Sequence, residues 1–395
     1  MKENNLLAIV MGRNYTSRLG MIRAAGMMGA KIVTIQTNRV KKKINKIDAS
    51  SKYVIKALTS IEPDQGDLVT KILQFKNPNE TIILLPTDDY TASTIDQHLD
   101  LLKNDFLMPH VHNIQGGIVK LMNKDFQKQL ARESGLLVAE GWIAKFENGQ
   151  YQIPSDIIYP CFVKPNESFR NPMKKYMKKC QDESELKKQL AVISKVSHNQ
   201  ILIEQYIDID KEYAVLGVSF NSDSIMPALV SMKSSYLGVT AVGEIASINS
   251  INGLDKMLKQ FMKNTGLTGL FDIDLYESKG QVFFNELNLR LGASGYAVTN
   301  ASINLVELFI KRLLDEKFSY NNNLVDFKPL LFANEKTCLA KYTHRQWNYE
   351  EYKKALDLVD FSFIKDKDDS KPYTNFKKIE RNCRIKKFLS NIISN

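Results

Sequence analysis

FDIDLYESKGQVFFNELNLRLGASGY, residues 271–296, is the stretch on which the reading of the whole chain turns. Its pattern predicts a β-hairpin followed by a loop. Asp272, Asp274 and Leu275 fall on a first strand, Ser278-Lys279-Gly280 is the turn, and Val282 to Leu287 is a second strand. Side chains alternate along a strand, so Asp272 and Asp274 share one face, as do Glu286 and Asn288. Arg290 follows on that face if the strand continues, and a Gly-Ala-Ser-Gly loop comes next.

Carboxylates on paired strands, with an amide oxygen nearby, suit a hard cation. Mg²⁺ takes a few oxygen ligands from protein and fills the rest of its shell with water and phosphate. A surface hairpin with solvated acids has the same alternation. Val282-Phe283-Phe284 argues for the first reading, because acids at the end of a buried strand need a partner.

A chain of 395 residues exceeds one ordinary core, so two or three domains are expected. No run approaches the ~18 apolar residues of a membrane span. MKENNLLAIVMG runs directly into a glycine loop and is taken as a buried strand, not a signal peptide, which predicts a cytoplasmic location. Cys161, Cys180, Cys338 and Cys383 lie far apart, with no zinc or disulfide spacing. The net charge is +10. From Leu330 onward, 14 Lys/Arg stand against 9 Asp/Glu, densest at Lys377, Lys378, Arg381, Arg384, Lys386 and Lys387. Such charge suits an anionic partner or is simply solvated. With no accompanying motif and few aromatics, nucleic acid is not the expected partner.

Taken in order, Leu6–Val10, Lys31–Gln36, Lys52–Ala57 and Thr81–Leu85 read as strands alternating with helices. That is the signature of a parallel sheet with helices on both faces. Ligands of such sheets sit beyond the carboxyl ends of the strands, here at Gly12 to Ser17 and at Pro86-Thr87-Asp88-Asp89. Asp88 or Asp89 also reads as a helix N-cap. Asn123-Lys124-Asp125 opens a helix with Gly135 as its C-terminal stop. A lysine at a helix start opposes the dipole, which makes Lys124 a candidate for holding an anion together with the helix amides. Lys164 leaves the apolar strand Ile157 to Val163, so its amine is expected in a cleft. Five histidines show no pairing that suggests a covalent nucleophile.

These residues together resemble the ATP-grasp ligases over roughly Leu6 to Lys317. NELNLRLGASGYAVTNASINL more narrowly resembles the carboxylate–amine ligases that include the D-aspartate ligases of peptidoglycan cross-bridge synthesis. The resemblance implies an α/β ATP-grasp fold: an N-terminal Rossmann-like parallel-sheet domain, a small α+β lid and a C-terminal α+β lobe. It implies domains at 1–115 (substrate), 116–203 (first ATP-grasp subdomain and lid), 204–320 (second subdomain with the metal site) and 321–395 (basic C-terminal module). Lys124 and Lys164 match the lysines that clamp nucleotide phosphates. Glu204, Gln205, Tyr206 and Ile207 match the hinge that holds adenine, and Glu212 matches the acid on the ribose. Asp274, Glu286 and Asn288 match the metal ligands, with Asp272 as substitute for the first. Arg290 matches the cation near the transferred phosphoryl group, Ser294 lies in the loop Gly292 to Gly295 that would stabilise the acyl phosphate, and Lys233 matches a further phosphate contact.

The implied cofactors are ATP and two Mg²⁺ ions, with Mn²⁺ able to replace them. The implied chemistry joins a small-molecule carboxylate, such as an amino acid, to an amine through an acyl phosphate, in cell-wall or peptide synthesis. Alternatives are a dipeptide or natural-product ligase of the same fold and a non-catalytic nucleotide- or polyanion-binding protein. A homodimer is left open. The chain departs from many ATP-grasp enzymes in one respect: Asn166 to Lys179 contains no glycine, where an amide nest over the phosphates is usual. Ser168, Arg170, Lys174 and Lys175 are the side-chain donors available to replace it.

Overall fold

The computed structural model describes residues 5–147, 150–165, 175–196, 200–301, 303–315, 317–320 and 328–393. Four parallel strands open the chain: Leu6–Gly12, Lys31–Asn38, Val54–Ile61 and Thr81–Pro86, in spatial order third, second, first, fourth. Leu6–Gly12 and Thr81–Pro86 are apolar almost throughout because helices cover both faces. Their register pairs Met11 with Pro86. The loops that follow them, at Gly12 and Thr87, therefore emerge side by side. The helix Tyr15–Gly26 starts at the N-cap Asn14 and is buried along nearly its whole length.

A second sheet is small and antiparallel. It runs Lys178–Cys180, Cys161–Pro165, Ile201–Gln205, Gly141–Ala144. The helix Glu183–Ser194 covers it, and Leu186, Leu190 and Ile193 meet Val163 and Ile203 in a core of their own.

Among the described residues, the third sheet has nine strands. Its long members are Ser224–Tyr236, Val239–Ser247, Lys211–Phe220, Leu267–Ser278 and Gln281–Asn288. On one face lies the helix Leu254–Thr265, whose Leu258 and Phe261 pack with Phe271, Ile273 and Phe284. On the other, the helix Leu305–Leu314 puts Leu305 and Phe309 into a core shared with Ala8 and Val10 of the first sheet and Ile22 of the helix Tyr15–Gly26. That shared core seats the N-terminal domain on the sheet that carries the hairpin.

The strand Leu330–Ala333 pairs antiparallel with Val239–Ser247 and extends the nine-stranded sheet. Arg23, fully buried, reaches from the first helix to the other end of the chain. It pairs with Asp369 at 3.0 Å and donates to the carbonyls of Phe363, Ile364 and Asp369. The helix Lys371–Ile393 buries Phe376 and presents Lys377, Lys378, Arg381, Arg384 and Lys386 to solvent. No helix among the described residues is long and apolar enough to cross a membrane.

Candidate active site

The hairpin forms where expected. Lys279 and Gly280 both have positive φ, 49° and 77°. That is the two-residue turn whose twist matches the flanking strands, and glycine meets its demand at the second position without strain. Counting pairs back from this turn, Leu275 meets Phe284, so a regular ladder would set Asp274 opposite Asn285. The register instead slips by one residue, and Asp274 faces Glu286 while Asp272 faces Asn288. A β-bulge at Asn285 thus brings Glu286 to the face of Asp274.

The carboxylates sit in a depleted solvent environment. Burial, then the Asp272 and Glu286 charges, push the Asp274 carboxyl well above the ordinary aspartate range. Burial also raises Asp272, to about 6, against the pull of Arg290. Asp272 Oδ1 has no hydrogen-bond partner among the described residues. Asn288 donates to Asp274 at 3.0 Å, and Arg290 donates to Asn288 Oδ1 at 3.0 Å. Arg290 also lies 3.3 Å from Asp89 and 4.0 Å from Asp272. No group of three or more His, Cys, Asp or Glu side chains among the described residues is gathered tightly enough to hold a metal unaided. The oxygen-only donor set and the orphaned Asp272 oxygen fit a Mg²⁺ that takes its remaining ligands from phosphate and water.

Two lysines close on the hairpin from other elements. The helix Lys124–Glu133, capped by Asn123 and stopped at Gly135, sets Lys124 2.7 Å from Glu286. Cys161–Pro165 brings Lys164 to 2.5 Å from Glu204 and 3.4 Å from Asn285 Oδ1. Burial, then the neighbouring Lys124, lower Lys164 to about 7. A third, Lys128, was not anticipated. It lies one helical turn beyond Lys124, only 1% exposed, and ion-pairs with the same Glu204.

The remaining expected residues are placed less uniformly. Glu204 is buried and committed to the two lysines, so its carboxylate faces them. The Gln205 amide donates to Glu140 and the Tyr206 amide to Pro160, and the Tyr206 ring lies under Lys179. Glu212 is exposed on Lys211–Phe220 opposite Tyr276. Ser294 belongs to the loop after Arg290, where its carbonyl accepts from the Ala297 amide. In that loop a Cβ on Gly292 would come within 3.3 Å of Asp272 Oδ2, so the backbone passes close to the acids. Lys233 is half-exposed and pairs with Glu244 at 3.3 Å on the adjacent strand. Ser168, Arg170 and Lys174 lie outside the described residues.

The N-terminal parallel sheet reaches the same group of residues. Asp88 caps its helix through Thr91, as one reading held, and also accepts from the Arg13 amide at 2.7 Å. Its neighbour Asp89 holds Arg290. Lys336, from the C-terminal part, donates to Asn14 at 2.8 Å.

Residues 129–304 match the ATP-grasp domain. The formate-dependent phosphoribosylglycinamide formyltransferase of Bacillus subtilis is 23% identical over 310 residues, 74% of this chain and 76% of its own. Among solved structures, the L-amino acid ligase of Bacillus licheniformis superposes with a TM-score of 0.61 at 15% identity, over 83% of this chain and 79% of that one. The N5-carboxyaminoimidazole synthetase of Staphylococcus aureus gives 0.62 at 16%, over 88% and 87%. The chain has the ATP-grasp fold and carries an ATP-grasp domain. It is an enzyme.

Proposed function

We propose that the protein is an ATP-dependent carboxylate–amine ligase that makes an amide bond through an acyl phosphate, releasing ADP and phosphate. The observation that carries this reading is the pairing of Asp274 with Glu286 across the bulged hairpin, beside Asp272, Asn288, Arg290 and Lys124. Phosphoryl transfer asks a protein mainly to position groups and neutralise charge. Lys124 and Lys164 take the nucleotide phosphates, each exchanging a carboxylate for a phosphate oxygen. The backbone of Gln205 to Ile207 holds the base and Glu212 the ribose. Asp274, Glu286 and Asn288, with Asp272 beside them, would hold Mg²⁺, which when bound would neutralise charge on the terminal phosphates. Arg290 and the amides of Gly292 to Gly295 stabilise charge on the acyl phosphate and on the adduct formed when the amine attacks. Ser294 and Lys233 serve that step at closer and longer range.

The acid is an amino acid or another small carboxylate, and the amine belongs to a small molecule or peptide. Joining an amino acid to a peptidoglycan precursor is the narrower form, supported by the likeness of residues 285–305 to the D-aspartate ligases. The test is phosphate release from Mg-ATP, screened over D- and L-amino acids, formate and bicarbonate against amines and peptide amines. One pair giving turnover is expected, with Glu286→Ala reducing it by at least about a hundredfold in a folded protein. Background release throughout, or an active Glu286→Ala protein, refutes the reading.

A further inference from the structure

Three ammonium groups and two carboxylates meet behind the hairpin: Lys124, Lys128 and Lys164 against Glu204 and Glu286. Lys124 has Glu286. Lys128 and Lys164 share Glu204, and all three of these side chains are more than nine-tenths buried. The sharing follows from the fold. Phe162 is the register partner of Glu204 and Lys164 that of Leu202, so Lys164 and Glu204 are diagonal neighbours on one face of the lid sheet. Lys128 approaches from the helix Lys124–Glu133 on the far side of the carboxylate.

A buried carboxylate that loses its only cation is left uncompensated, at a cost of several kcal/mol. Lys164 can therefore leave Glu204 cheaply only if another cation stays. We propose that Lys128 is a positioning residue for the nucleotide's phosphates: it keeps Glu204 neutralised, so that Lys164 is free to turn to a phosphate oxygen. With all five groups ionised, one positive charge is in surplus and meets the incoming phosphates; burial, then the neighbouring Lys164, lower Lys128 to about 6, so the surplus is complete only below that pH. Arg132 and Asp125, also near Lys128, are of opposite sign and leave that surplus unchanged. This inference rests on the reading of Lys164 as a phosphate ligand.

The test is calorimetric titration of ADP, without metal, into four proteins: the wild type, Lys164→Ala, Lys128→Met, and Lys128→Met combined with Glu204→Gln. Lys128→Met ties Lys164 to Glu204 alone and should weaken ADP binding by on the order of tenfold. The double variant removes the carboxylate as well, restores the surplus charge, and should bind within about threefold of the wild type. A lesion of packing would be compounded by the second substitution, not relieved. If Lys128→Met does not fold, the double variant decides alone, and tenfold weaker binding by it overturns the proposal. Unchanged affinity in Lys128→Met also overturns it, while the reading of Lys164 stands if Lys164→Ala loses ADP. Wild-type protein that ignores ADP, or Lys164→Ala that binds it normally, overturns both.

Discussion

Lys164 shows how a single residue's surroundings set its chemistry. Its ammonium is buried and faces Lys124, and both effects favour the neutral amine, bringing it to about 7 instead of the usual lysine value. Phosphate prefers the charged form. The sign is then plain: below about 7 the charge is present, and above it the free protein progressively gives up the proton. ADP affinity measured without metal should fall as pH rises through about 7, and binding above that pH should take up a proton from the buffer. Affinity flat across this range would show that the amine stays charged throughout. At this scale the sequence was partly legible. Lys124 at a helix start and Asp274, Glu286 and Asn288 on the hairpin each stand out in their local pattern, and the structure brings them together. Lys128 could not, because a lysine four residues beyond another on a polar helix reads as solvated until the strand bearing Glu204 is laid across it. The Asp89–Arg290 pair was hidden for the same reason, since a separation of 201 positions leaves no local trace.

Among elements, the hairpin is the clearest case of local chemistry setting geometry. Its turn requires left-handed backbone at Lys279 and Gly280. A β-branched side chain at the second position meets a steric penalty, so Gly280→Val should destabilise the protein by about 1–2 kcal/mol in urea unfolding. An unchanged midpoint would mean the turn has another conformation in solution. Turn and caps were readable: Asn123 and Gly135 stand at the helix ends where their chemistry puts them. The bulge at Asn285 was not, because alternation alone shows no inserted residue. The strand Val239–Ser247 was missed altogether. It alternates in burial as a strand should, but its small and polar residues mask the period. The sequence of Ser224–Tyr236 signals a strand only over its apolar middle, Pro227 to Met232.

For the molecule as a whole, the N-terminal parallel sheet and the ATP-grasp fold were legible, because strand–helix alternation and the order of motifs are properties of the linear chain. The incorporation of Leu330–Ala333 into the central sheet was not, since it pairs segments far apart in sequence. The Arg23–Asp369 pair is the energetic counterpart of that closure. Both groups are nearly inaccessible, and Asp369 also accepts from Ser51 Oγ and the Lys52 amide. Arg23→Met leaves this carboxylate buried without its cation and should cost about 3–5 kcal/mol in urea unfolding. A loss below about 1 kcal/mol would mean that water or a rearranged neighbour takes over the arginine's role.

That same arginine has a consequence for biogenesis. Its partners lie some 340 positions downstream. During synthesis the first helix therefore leaves the ribosome with a cationic side chain destined for the interior and nothing yet made to receive it. The first helix must wait, incompletely consolidated, until some 340 further residues have been translated, which makes the nascent chain a natural client for chaperones.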